Sequence, residues 1–381
     1  MNPVTLQQPK RIVFGAGSAH QAAGEVAASG ASRVLVVTSP PVVPVARVVL
    51  DACTKAGLTV TVHDGIDREP TVAMFRRAID QARAAKPQAV VGIGGGSALD
   101  AAKLVAALWN SPQDVADAFG SGKLAGRGTP LVCLPTTSGT GSEVSPNALL
   151  VDEADGRKKA VVSPHLVPDA AIVDPLLTLS VPPDVTAATG MDALVHCIEA
   201  VANVHAHPAV DVYALEGIRL VARNLARAVE RGDDVEARSA LSLGSLYGGL
   251  CLGPVNTAAV HALAYPLGEM FHLPHGLTNA VLLAAVMEFN LSAAPQRYAQ
   301  IALALGAQAG SDDLETARGG VQAVRELTAR CGLPARLRDL GIPADALGAM
   351  AEAAMKVTRL LANNPRPVTQ TDAEDIYRKV Y

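Results

Sequence analysis

The stretch Gln88-Ala89-Val90-Val91-Gly92-Ile93-Gly94-Gly95-Gly96-Ser97 decides the fold. Its first half is an apolar run of strand length, its second half a glycine turn, and a helical pattern over 97–109 follows at once. Strand, glycine turn and helix in immediate succession form the unit from which parallel α/β sheets are built. Consecutive glycines let a backbone approach a ligand closely, and the free N–H groups of a helix start favour phosphate. Ser97 and Asp100 also fit a capping box. A tight turn that binds nothing would use the same residues.

The same pattern extends outward on both sides. Strands are predicted over 11–14, 33–38 and 58–63, and helices over 42–56, ending at Gly57, and 71–85, stopped by Pro87. Further strands are expected over 129–134 and 170–173, with an irregular strand or hairpin over 146–162 around the turn Asp155-Gly156. Strands alternating with helices predict a parallel, doubly wound sheet. The glycine loop follows the third strand of the β-α-β-α-β run, and its spacing is not G-x-G-x-x-G. The first βα turn, Thr38-Ser39-Pro40-Pro41, has no glycine. A dinucleotide bound here would need a variant arrangement.

After about residue 175 the β-branched runs vanish. Helical periodicity takes over, roughly at 184–201, 208–230, 234–252, 257–270, 277–290, 295–306, 313–331, 344–355 and 371–380. The boundary falls in Leu179-Ser180-Val181-Pro182-Pro183, which gives an α/β domain over 1–178 and an all-α domain over 179–381. A chain of 381 residues exceeds one ordinary core, in keeping with two domains.

Composition narrows the function classes. The net charge of −4 and the absence of a basic patch argue against nucleic acid as a partner. Five scattered cysteines, none in a C-x-x-C pair, suit a reducing compartment and apolar burial. Residues 1–11 are polar, with no signal-peptide pattern, and no uninterrupted apolar run reaches the ~18 residues of a membrane span. A cytoplasmic protein without membrane contact is expected.

The helical half carries the candidate chemistry. In Thr189-Gly190-Met191-Asp192-Ala193-Leu194-Val195-His196, Asp192 and His196 are four apart and share a helix face. Such a pair can reach one metal ion, and it can equally make a helix-surface hydrogen bond. His261, His272 and His275 cluster near a helix-to-helix turn, Leu273-Pro274-His275-Gly276, and two further imidazoles there could complete a shell. A carboxylate with imidazoles and no thiolate suits Fe(II) or Zn(II). A second polar loop, Pro135-Thr136-Thr137-Ser138-Gly139-Thr140-Gly141-Ser142-Glu143, could surround part of a polar ligand. Gly120-Ser121-Gly122-Lys123 fails as a P-loop, because Leu124 follows the lysine.

Four motifs then line up in order: Gly94-Gly95-Gly96-Ser97-x-x-Asp100-x-x-Lys103, Pro135-Thr136-Thr137-x-Gly139-Thr140-x-x-Glu143, Gly190-Met191-Asp192-Ala193-Leu194-x-His196, and His261 with Pro274-His275-Gly276. Together they resemble the iron-containing (group III) alcohol dehydrogenase family over nearly the whole chain. The resemblance implies the dehydroquinate synthase-like architecture, with a dinucleotide-binding α/β domain, a helical domain and a metal in the cleft between them. It implies metal ligands at Asp192, His196, His261 and His275, and a pyrophosphate loop at Gly94, Gly95, Gly96 and Ser97. Other NAD or NADP contacts would be Thr136, Thr137, Thr140 and Lys159, with Asn147 lining the substrate pocket. The expected activity interconverts a small alcohol and its aldehyde or ketone, with the metal as Lewis acid; a homodimer is the family-like state.

Two departures from the family pattern bear on mechanism. Tyr265 stands where many members carry a histidine implicated in proton handling, and a tyrosine, with an unperturbed pKa of ~10, is a poorer neutral-pH shuttle. His272 is a candidate replacement. Ser39 stands where NAD-preferring members often carry Asp, which removes a charge that would repel a 2′-phosphate and opens the way to NADP. Within the same architecture, metal-free maleylacetate reductases share the tail Cys197-Ile198-Glu199-Ala200, but typically have Asn in place of Asp192 and Ala in place of Gly276. A metal-dependent lyase of the dehydroquinate synthase type and a silent scaffold are the remaining alternatives.

Overall fold

The computed structural model describes residues 3–154 and 156–381, so Asp155 of the expected turn lies outside the described residues. The chain divides into two compact units, Leu6–Ser180 and Val181–Tyr381, the second joined by the N-terminal segment up to Thr5.

Among the described residues the first unit has nine strands: β1 (Arg11–Phe14), β2 (Arg33–Val37), β3 (Thr59–His63), β4 (Ala89–Gly94), β5 (Gly120–Ser121), β6 (Leu131–Pro135), β7 (Asn147–Asp152), β8 (Arg157–Val162) and β9 (Ala170–Val173). Six of them form a fully parallel sheet in the order β1-β9-β6-β4-β2-β3. The others form a small sheet in which β7 and β8 make an antiparallel hairpin and β5 runs parallel to β8. Helices α1 (Ala22–Ala28), α2 (Val43–Lys55), α3 (Val72–Ala85), α4 (Gly96–Leu108) and the single turn α5 (Val115–Ala118) complete the unit.

Apolar side chains alternate between two cores. Leu35 and Val37 of β2 join Val90, Leu131 and Cys133 beneath α3 and α4. Val34 and Val36 join Val91, Ile93 and Leu134 beneath α1 and α2. Strands covered on both faces read as continuous apolar runs, which is why the sequence shows them so plainly. Such strands cannot fix their register by alternation alone. Glycine fit helps to do so: a Cβ at Gly92 would lie 2.7 Å from that of Ala102, and one at Gly94 would lie 2.7 Å from that of Ala98. These glycines let α4 lie close against β4.

The neighbours β2 and β4 send the chain to opposite faces, β2 into α2 and β4 into α4. This is a topological switch point, and in open α/β sheets ligands bind beyond the strand ends at such a point. Thr38-Ser39 and Gly94-Gly95-Gly96 leave the sheet there.

The second unit is helical: α6 (Pro183–Ala202), α7 (Pro208–Glu230), α8 (Val235–Leu252), α9 (Ala259–Phe271), α10 (His275–Asn290), α11 (Pro295–Leu305), α12 (Asp313–Arg330), α13 (Leu347–Ala354), α14 (Thr358–Leu361) and α15 (Gln370–Lys379). Proline at the first position of α6 suits a helix start, where the missing N–H would have no partner anyway. α6 is long and apolar enough by composition to cross a membrane, but 83% of that window is buried. It is a core helix, approached closely through glycines. A Cβ at Gly190 would lie 2.3 Å from Leu225 Cδ1, and one at Gly217 would lie 2.5 Å from Cys197 Sγ. The last helix docks by its buried Tyr377, whose hydroxyl donates to the Leu263 carbonyl at 2.6 Å.

Two expectations need correction. α4 begins at Gly96, with Gly95 as an N-cap that offers no side chain, so Ser97 and Asp100 form no capping box. α10 begins at His275, not 277, because Pro274 is its N-cap; His275 is therefore the first helical residue rather than part of a turn. The two-residue β5 and the four-residue α14 are too short to show periodicity in the sequence.

Candidate active site

α6, α9 and α10 bring Asp192, His261 and His275 together, with His196 beside them. Nε2 of His261, His275 and His196 lies 3.6, 3.7 and 3.9 Å from one oxygen, Oδ1 of Asp192. Donor atoms of Asp192, His261 and His275 all fall within 4.8 Å of one another. The His196 and His261 rings stack, with centroids 4.8 Å apart. Asp192, His196 and His261 are buried.

Close packing explains the convergence. A Cβ at Gly276 would lie 2.2 Å from the Ala188 carbonyl oxygen, so only glycine lets the start of α10 abut α6 and carry His275 toward Asp192. A Cβ at Gly248 would lie 3.2 Å from His196 Cβ, so α8 backs the same cluster. Burial alone would raise the Asp192 carboxyl, but His196, His275 and His261 outweigh it and hold the group far below the usual carboxylate range. Burial alone would lower His261, but Glu199 and Asp192 outweigh it and push it up to about 9.

Two residues that the sequence reading did not assign touch this cluster. Glu199 Oε2 sits 2.6 Å from His261 Nδ1, while its Oε1 accepts the Val260 N–H at 2.6 Å. Asn279 Nδ2 donates to Asp192 Oδ1 at 2.7 Å and lies 3.3 Å from Nε2 of both His261 and His275, while its buried Oδ1 has no partner. Helical spacing could have revealed both. Glu199 is seven residues after Asp192 and Asn279 four after His275, on the faces that carry the ligands.

The two candidates for proton handling differ in placement. The Tyr265 ring is tilted against His275, with centroids 6.0 Å apart. His272 is exposed and caps the end of α9 in the left-handed conformation, its N–H bonded to the Gly268 carbonyl.

In the α/β unit the two polar loops meet. The Thr136 N–H donates to the Gly94 carbonyl at 2.9 Å. A Cβ at Gly96 would lie 2.6 Å from Thr140 Cγ2, and one at Gly95 would lie 3.4 Å from Thr137 Oγ1. The glycines therefore form a cradle that any side chain would fill. The first amides of α4, at Gly96 and Ser97, have no carbonyl a turn earlier to bond, the arrangement that receives phosphate. Ser39 lies two residues beyond β2, in an extended conformation at the switch point. Lys159, on β8, is held by Asp152 at 2.6 Å and lies over the Phe119 ring.

Asp100 and Lys103 brace the second loop from within α4. Asp100 accepts the Ser142 hydroxyl at 2.5 Å and the Leu149 N–H at 2.9 Å. The fully buried Lys103 ammonium donates to Ser145 O and Oγ and to Asn147 O at 2.8–3.2 Å, satisfying its three protons. The segment bearing Asn147 is thereby fixed, and Asn147 Oδ1 is left buried without a partner, as is Thr38 Oγ1 at the end of β2.

The donor chemistry fits a divalent ion. Ligands at 2.0–2.2 Å around a tetrahedral ion stand ~3.4 Å apart, close to the spacings between the Asp192 oxygen and the imidazoles. The glycine cradle and the unpartnered Thr38 hydroxyl fit a dinucleotide in the other unit. These are the parts of a metal- and nicotinamide-dependent dehydrogenase. The chain belongs to the iron-containing alcohol dehydrogenase family: residues 9–175 match the model for iron-containing alcohol dehydrogenase, and 186–381 match the C-terminal model of the Fe-containing alcohol dehydrogenase family. It is 40% identical to long-chain-alcohol dehydrogenase 1 of Geobacillus thermodenitrificans (strain NG80-2), over 97% of this chain and 96% of that one. It superposes on a crystal structure of a 1,3-propanediol oxidoreductase with a TM-score of 0.97 at 32% identity, covering 100% of both chains. A sulfoacetaldehyde reductase from Bifidobacterium kashiwanohense, solved in complex with NAD+, superposes with a TM-score of 0.91 at 30% identity, covering 100% of this chain and 99% of that one. The protein is an oxidoreductase that interconverts alcohol and aldehyde with NAD.

Proposed function

We propose that Asp192, His196, His261 and His275 hold Fe(II), which Zn(II) can replace, and that the substrate is a small primary alcohol or its aldehyde. The observation that carries this reading is the approach of three imidazole nitrogens to one carboxylate oxygen at 3.6–3.9 Å. When bound, the ion supplies a Lewis acid for the substrate oxygen and the nicotinamide carries the hydride. Asn279 holds Asp192 Oδ1 in place. The α4 amides and Thr136, Thr137 and Thr140 orient the dinucleotide, with Lys159 as a further contact, and the braced segment positions Asn147 toward substrate. Tyr265, beside His275, is favoured over the exposed His272 for holding a proton.

Asp192 and Gly276 favour this reading over the metal-free reductase one, since an alanine at 276 would strike the Ala188 carbonyl. Ser39 places no carboxylate at the end of β2, so NADP is accepted beside NAD. A cytoplasmic homodimer is the state proposed; all five cysteines are free and buried, which suits a reducing compartment.

Elemental analysis and a 340 nm assay on one sample test the reading. About one ion per chain and NAD-linked turnover of primary alcohols are expected. Freshly prepared, unchelated protein without metal would refute it.

A further inference from the structure

α6 carries Asp192, His196 and Glu199 at spacings of four and three, so all three share a face. The first two present donor atoms to the cluster; Glu199 is turned to the far side of His261. Its Oε2 lies 2.6 Å from His261 Nδ1, and its Oε1 accepts the Val260 N–H at 2.6 Å. Both side chains are buried. We propose that Glu199 is a positioning residue, which fixes the nitrogen of His261 that faces the metal and anchors the start of the helix bearing it. The inference rests on the metal reading above.

An imidazole that ligates a metal is neutral, with one donor N–H and one lone pair, and a carboxylate only accepts. Glu199 therefore requires the hydrogen on Nδ1, which leaves the Nε2 lone pair aimed at the Asp192 side, 3.6 Å from its Oδ1. α9 also needs an outside cap, because its N-cap, Ala258, has no side chain to bond the first amides. Glu199 supplies that acceptor from another helix, so one carboxylate fixes both ring orientation and backbone. Carboxylates of this kind behind ligating histidines also raise ligand basicity.

Glu199→Gln tests this, since it keeps the size and an acceptor but removes the charge. Zn(II) affinity, read by competition with a chromophoric chelator, is expected to fall about 10- to 100-fold. In the Co(II)-loaded variant, one solvent-exchangeable, paramagnetically shifted imidazole N–H resonance is expected to move while the others stay. Unchanged affinity and unchanged resonances, with wild type binding metal, would overturn the role of Glu199 and leave the metal reading intact. Wild type without metal affinity would overturn both. Should the variant fail to fold, the Co(II) wild type decides: the His261 N–H is expected to exchange with deuterium more slowly than that of the half-buried His275, and equal rates would overturn the proposal.

Discussion

The two candidate binding regions are made of different material. In the helical unit the site consists of side chains: a carboxylate, three imidazoles and their partners Glu199 and Asn279, nearly all buried. In the α/β unit it consists of backbone and absent side chains: the Gly94-Gly95-Gly96 turn, the first amides of α4 and the hydroxyls of the facing loop. The charges of the second region, Asp100 and Lys103, stand behind the loops as a brace. The difference has a physical cause. A small dication needs concentrated donors at fixed distances, whereas a pyrophosphate is large, and many weak backbone dipoles serve it well. Removing atoms should therefore damage the first region most, and adding atoms the second.

The largest effect is expected for His261→Ala or His275→Ala. Metal content should fall from about one ion per chain to nearly none, and NAD-linked turnover about a thousandfold or more. Dinucleotide binding, followed by nicotinamide fluorescence, should persist. Loss of both together would break the comparison.

Glycine substitutions come next, because they oppose the two regions directly. Gly276→Ala meets backbone at 2.2 Å, the Ala188 carbonyl oxygen, which cannot rotate away. Overpacking of this sort costs about 1–3 kcal/mol, and here it also displaces a ligand helix, so a lower melting temperature and reduced metal occupancy are expected. Gly96→Ala meets side-chain atoms of Thr140 at 2.6 and 2.9 Å. That neighbour can shift, so the expected result is full metal content, a similar melting temperature and a KM for NAD raised about tenfold. Metal loss in Gly96→Ala would show that the regions are not separable in this way.

Much of this was legible in the sequence, for reasons that differ by region. The sheet was readable because β2, β4 and β6 are buried on both faces and stand out as apolar runs. Their order was not, since nothing local says that β2 and β4 adjoin or send the chain to opposite faces. Asp192 and His196 were visible through helical spacing, but their convergence with His261 and His275 depends on contacts such as Gly276 against Ala188. Glu199 and Asn279 lay at readable spacings, yet their meaning depends on what faces them from α9 and α6. Asp100 has the spacing of a capping residue, but the side chain of a buried helix is claimed by its tertiary neighbours, here Ser142 and Leu149.

A smaller, selective change is expected at Ser39. Ser39→Asp puts a carboxylate at the end of β2, where it would accept ribose hydroxyls and repel a 2′-phosphate. The ratio of kcat/KM for NAD over NADP should rise about tenfold or more, with metal content unchanged. An unmoved ratio would remove Ser39 from the dinucleotide region.

The smallest effect on turnover is expected at Glu143, the buried last residue of the second polar loop. Burial pushes this carboxyl from 4.5 up to about 7, and its own backbone N–H and Lys103 pull it back only in part. Between those values the folded chain holds a proton that the unfolded chain has lost. Stability from this group is thus present at low pH and declines as pH rises toward 7, at most by about 1.4 kcal/mol per pH unit. Glu143→Gln cannot titrate, so relative to wild type it should gain stability steadily from pH 5 to pH 7 and level off above that. Thermal melts of both proteins across pH 5–8 measure the slope directly. Parallel curves would mean that Glu143 titrates near its ordinary value, with Lys103 compensating its burial in full.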